Sequence, residues 1–124
     1  MEDKRKAILI IMASVVIISV AQLLLKYGVK HTTGTLTDAS TLQMLEAIFS
    51  SGIVLSAVAL LLVSSTLWLI GLSKAELSFA YPLLGTGYAL VSFFSWIIFN
   101  EAMGITRVIG IATIITGVIL MSRS

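Results

Sequence analysis

The sequence predicts an all-α membrane protein: four transmembrane helices, short loops, and an interfacial helix in the first loop. Three observations carry this. Of 124 residues, 58% are hydrophobic and only 11% charged, with a mean hydropathy of +1.08, too apolar for an ordinary water-soluble domain. The apolar residues fall into four runs, Ala7 to Leu25, Ile53 to Leu72, Leu77 to Phe99 and Val108 to Met121. A span needs roughly 20 such residues, and the last run reaches that length by taking in Ile105 while Arg107 snorkels to the interface. Finally, no Asp, Glu, Lys, Arg or His lies in the central part of any run.

The first span is expected at about 7–28. Lys4, Arg5 and Lys6 precede it as they would a signal peptide, but the apolar run is long and no small-residue cleavage pattern follows, so it reads as retained. The loop from Lys30 to Gly52 starts rich in Thr and Gly and then turns amphipathic across Thr41-Leu-Gln-Met-Leu-Glu-Ala-Ile-Phe49. Ser40 and Gln43 have the spacing of a capping box, and Leu45, Ile48 and Phe49 share a helical face. That pattern fits a short interfacial helix, or equally an extension of the second span, expected at about 52–73. The third span, about 77–99, holds the single proline, Pro82, in its first turns, with Gly85 and Gly87 behind it. The fourth, about 105–122, carries Gly110 and Gly117 seven apart, a spacing that lets helices approach closely. The whole chain reads as one domain.

Basic residues sort onto two sides. Lys4, Arg5, Lys6, Lys74 and Arg123 face Lys26, Lys30 and Arg107, an asymmetry that places both termini on the cytoplasmic side of the cell (inner) membrane. Scattered at span ends, these cations form no stripe for nucleic acid, so no nucleic-acid partner is expected. With no cysteine and one histidine, His31, thiolate and histidine metal sites are excluded within one chain. No cofactor, metal or enzymatic activity is expected, since no nucleophile and base pair can be assembled and no nucleotide-binding motif is present.

Spans associate through small and hydrogen-bonding residues, so the polar positions are read by helical face. Ser19, Gln22 and Lys26 form one stripe in the first span. Tyr81, Gly85, Tyr88, Ser92 and Ser95 form another in the third. Each stripe suits helix-to-helix contact or a polar pathway, and a lipid-facing hydroxyl at mid-span Tyr88 would be unsatisfied. Pro82 and Gly85 together make a candidate hinge. Gly110 and Gly117 make a candidate dimer interface. Lys26, Lys74, Glu76, Glu101 and Arg107 sit at span ends, where anionic head groups are found.

These residues resemble a family. Gly71-Leu-Ser-Lys-Ala-Glu-Leu-Ser-Phe-Ala-Tyr-Pro-Leu-Leu-Gly85, with Ser95-Trp96 and Phe99-Asn-Glu101, is similar to the drug/metabolite transporter superfamily in its short four-helix, EamA-like and small multidrug resistance-like members. Ala21-Gln22-Leu23 with Lys26 resembles the branch of paired subunits that flip aminoarabinose attached to undecaprenyl phosphate. Gly110-Ile-Ala-Thr-Ile-Ile-Thr-Gly117-Val118 looks like the fourth-helix dimerisation pattern of the small multidrug branch. That branch carries a membrane-embedded glutamate where this chain has Ile18, and a tryptophan where it has Leu84. Without the carboxylate there is no counter-ion for a lipophilic cation.

The resemblance implies a flippase for a polyprenyl-phosphate-linked sugar or a similar anionic lipid, working as a homodimer or with a similar small membrane protein. On this expectation Lys26 and Arg107 attract phosphate on the outer side and Lys74 on the inner. Gln22, Tyr81, Tyr88 and Ser92 line the route. Two rivals stay open: a small-solute or amphiphile exporter of the small multidrug type, and a non-transporting subunit of a membrane glycosyltransferase complex.

Overall fold

The computed structural model describes residues 2–33 and 40–124. Its elements are α1 (Glu2–Thr33), α2 (Thr41–Ser50), α3 (Gly52–Leu72), α4 (Leu77–Leu83), α5 (Gly85–Phe99) and α6 (Ile105–Arg123), with no strand among the described residues. α1 runs on to Thr33, so Lys30 to Thr33 at the start of the expected first loop are helical, and the rest of its Thr- and Gly-rich part, residues 34–39, lies outside the described residues. Asp3–Thr32, Gly52–Leu72, Leu77–Phe99 and Ile105–Arg123 are long and apolar enough to cross a membrane, making this a multi-pass membrane protein. Helices are the outcome hydrocarbon demands, because each segment then satisfies its own backbone.

α2 is a helix in its own right and not an extension of α3. Ser40 caps it: its hydroxyl accepts from the Gln43 N–H at 3.3 Å, and its own N–H donates to Gln43 Oε1 at 3.1 Å. Ser51, extended at φ −76° and ψ 125°, ends α2 and begins α3, where its hydroxyl accepts from the Val54 N–H. The exposed side of α2 carries Leu42, Leu45 and Phe49.

The third span is two helices that meet at Leu84. Pro82 has no N–H to offer the preceding turn, and the chain tightens there: Leu84 N–H bonds the Tyr81 carbonyl at 3.0 Å and Gly87 N–H bonds that of Leu84 at 2.9 Å. α5 stops at Asn100, which takes the left-handed conformation at φ 54° that asparagine tolerates better than most residues.

α1 is the central helix. α3 packs along one side of it, α4 and α5 along the other, and α6 lies outermost against α4 and α5. A small core joins α1 to α4 through Ile11, Val15, Ala80 and Leu83, all at most 1% exposed, with Trp68, Leu72 and Val118 around it. α6 contributes no buried residue. It seats Ile114 and Val118 on Gly85, where an added Cβ would stand 2.9 and 3.2 Å from their methyl groups.

Contacts between span ends mark two sides. On one, Lys4 Nζ donates to the main-chain oxygen of Ser124 and lies 5.0 Å from the Phe79 ring centroid. On the other, Lys30 Nζ lies 5.8 Å from the ring centroid of Phe99.

Candidate functional site

α1 and α5 touch at Gly87, where a Cβ would come within 3.1 Å of Val15 Cγ1 and 3.2 Å of Ser19 Oγ. Past this point they part. Between them lies a groove of about 450 Å³ lined by Ile18, Ser19, Gln22, Leu84, Tyr88 and Ser92, among others. A second cavity, of about 320 Å³, continues along α5, sharing Val91 and Ser92 with the first and ending at Trp96, Glu101 and Arg107. Both are within the size range of ligand sites, and together they run from mid-span to the rim.

Three of the polar side chains in the groove differ from its Ser19 and from hydroxyls elsewhere in the spans. Ser19, Thr66, Thr113 and Thr116 return their hydroxyls to carbonyls four residues back, at 2.7–3.0 Å. Gln22, Tyr88 and Ser92 have no side-chain hydrogen-bond partner among the described residues. An unmet polar group facing hydrocarbon is costly, so these three converge where a hydroxylated guest or a second subunit can satisfy them. Between them they supply an amide and two hydroxyls, each able both to donate and to accept.

No carboxylate or cation intrudes in the groove; Ile18 fills the position where one would sit in the small multidrug pattern. Charge appears only at the rim. There Arg107 donates from Nη1 to the Ala102 carbonyl at 2.6 Å, and Glu101 lines the same cavity.

Of the other sequence-derived candidates, Lys26 is exposed and lies outside both cavities. Tyr81 is 59% exposed and sets its ring edge-on to Trp68 with centroids 6.3 Å apart, away from the groove. Lys74 lies at the opposite end of the molecule, in a third cavity with Lys4 and Glu76. Pro82 and Gly85 flank the break at Leu84. Gly110 and Gly117 face open space, with nothing within 4 Å of an added Cβ. Sequence reasoning left Trp96 unassigned and used Lys4 only for topology. Lys4 has no local signature, because Phe79 and Ser124 reach it from distant parts of the chain, whereas the cavity neighbours of Trp96 all lie between Val91 and Arg107. Among the described residues no three His, Cys, Asp or Glu side chains gather as metal ligands.

No family model and no solved structure matches the chain. Curated relatives do. The probable 4-amino-4-deoxy-L-arabinose-phosphoundecaprenol flippase subunit ArnF of Pseudomonas fluorescens is 30% identical over 122 residues, 97% of this chain and 90% of the relative. The same-named ArnF of Sodalis glossinidius is 34% identical over 113 residues, covering 87% and 84%. A probable ArnE subunit of Pseudomonas syringae is 33% identical over 57 residues, about half of either chain at 46% and 53%.

Proposed function

The chain belongs to the family of the 4-amino-4-deoxy-L-arabinose-phosphoundecaprenol flippase subunits, and from that premise we propose that it moves a polyprenyl-phosphate-linked sugar between membrane leaflets. It is a transporter and not a classical enzyme. One observation carries the reading: Gln22, Tyr88 and Ser92 hold unused hydrogen-bonding capacity in a groove that leads to Glu101 and Arg107. The sugar hydroxyls pass along these side chains while the isoprenoid tail stays in lipid. Arg107 and Lys26 draw the phosphate on the outer side and Lys74 on the inner. Both termini are cytoplasmic, following the excess of basic residues on their side.

A single chain encloses its groove on one side only. A second subunit, a like copy or a similar small protein, completes it and meets the open Gly110 and Gly117 face of α6. The break at Leu84 lets α4 turn against α5, which alternately admits each side and brings Tyr81 into the route. Movement is driven by gradients or by consumption of the delivered lipid, as the chain has no nucleotide-binding motif.

The test is reconstitution in liposomes with polyprenyl-phosphate sugars, reading how fast head groups become accessible on the far leaflet. Protein-dependent transfer supports the proposal. Its absence, with the protein and any co-purifying subunit folded and inserted, overturns it.

A further inference from the structure

Each end of α1 carries a lysine over an aromatic ring of the third span. Lys4 Nζ lies 5.0 Å from the ring centroid of Phe79, in the first turn of α4, and Lys30 Nζ lies 5.8 Å from that of Phe99, the last residue of α5. The stretch of α1 between the two lysines is about 39 Å long at the ordinary helical rise, more than the roughly 30 Å of hydrocarbon in a bilayer, so each pair sits at one membrane surface. Both rings are half-buried and both lysines exposed. Lys30 has no hydrogen-bond or ion-pair partner among the described residues, so the Phe99 ring is the group that holds it.

Lys30 and Phe99 close off the groove between α1 and α5. Lys30 follows Gln22 and Lys26 at steps of four along α1, and Phe99 follows Ser92 and Trp96 at steps of four and three along α5, so both continue the faces that line the two cavities. Behind Lys4 and Phe79, α1 and α4 are sealed by Ile11, Val15, Ala80 and Leu83, each at most 1% exposed. The rings belong to two half-helices that the break at Leu84 uncouples, so one pair can part while the other holds. A cation over an exposed ring biases an equilibrium only about two- to fivefold, a strength suited to a contact that opens and re-forms in every cycle.

Resting on the route proposed above, we infer that Lys30 and Phe99 form a gate across the mouth of the groove, and that Lys4 and Phe79 form its counterpart at the opposite surface. Each gate holds its half of the third span against α1, and release of one admits water and ligand from that side alone.

The chain has no cysteine, so single introduced cysteines read each side in turn. Val91→Cys places a thiol where the groove meets the rim cavity, and Ala80→Cys places one in the sealed core. Labelling of each by a charged, water-soluble maleimide is timed in nanodiscs, with any co-purifying subunit present. Lys30→Met and Phe99→Leu should each speed labelling at residue 91 by about two- to fivefold, with the double variant no faster than either single one, and leave the rate at residue 80 unchanged. Lys30→Arg, which keeps a cation over the ring, should label as the parent does. Phe79→Leu should speed labelling at residue 80 alone; it tests the ring while leaving Lys4 its bond to Ser124. Rates that do not change, or that rise on both sides after one substitution, overturn the gates and leave flipping standing, since flipping is read separately by transfer in liposomes. If labelling follows the expected pattern but no sugar lipid is transferred, the flipping reading falls and the gates stand.

Discussion

Ser14 and Ser64 exchange hydrogen bonds across the α1 and α3 interface. Each hydroxyl donates to the other's main-chain carbonyl at 2.9 Å, with the two Oγ atoms 3.1 Å apart and both residues 2% exposed. In lipid, where apolar contact alone does not favour helix pairing, such a bond contributes about 0.6 kcal/mol on average and up to about 1.7. Ser14→Ala and Ser64→Ala should each lower thermal stability in detergent by an amount in that range. A double-mutant cycle should show coupling between the two, whereas additive losses would mean they act separately.

Gly85 is the seat of α6. An added side chain would meet Ile114 at 2.9 Å and Val118 at 3.2 Å. Gly85→Val should lift α6 from the break at Leu84 and cost about 1–3 kcal/mol, the usual range for overpacking. Disulfide trapping between cysteines introduced on α5 and α6 reads the displacement directly, and unchanged trapping would refute it.

Tyr88→Phe and Gln22→Ala remove groove donors and acceptors that have no partner among the described residues. Because no internal bond is lost, thermal stability should stay near the parent value. Transfer of lipid-linked sugar in liposomes should slow by up to about tenfold per site, as expected for one hydrogen bond to substrate. If both variants move lipid at the parent rate, the groove is not the route.

Gly110→Leu and Gly117→Leu place bulk where nothing lies within 4 Å, so the monomer should fold unchanged. Association should fail, read by energy transfer between labelled subunits in bilayers. Persistent association would assign the subunit contact to another face.

Much of the architecture was legible from local pattern. The four spans follow from composition, and the α2 start from the spacing of Ser40 and Gln43, whose hydrogen bonds lie within one turn. Pro82 announced the weak point of the third span, although the break itself falls at Leu84. The groove was half legible. Helical spacing put Gln22 on one stripe and Tyr88 with Ser92 on another, but it did not say that these stripes face each other. That registration is set by Gly87 against Val15 and Ser19. Spacing likewise grouped Tyr81 with Tyr88, which the tightened turns at Leu84 and the Trp68 contact separate. The cavity of Lys4, Lys74 and Glu76 was legible only in part: Lys74 and Glu76 stand out as span-end charges, but nothing local says that the start of α1 and the end of α6 meet them.

α6 touches the rest of the molecule along a single seam and hides none of its residues there. Most of its surface is consequently under no obligation to the fold that carries it. Substitutions away from Ile114 and Val118 can rewrite which neighbour this helix accepts and leave the other three spans as they were, so partner choice and self-assembly can drift independently in a molecule of only 124 residues.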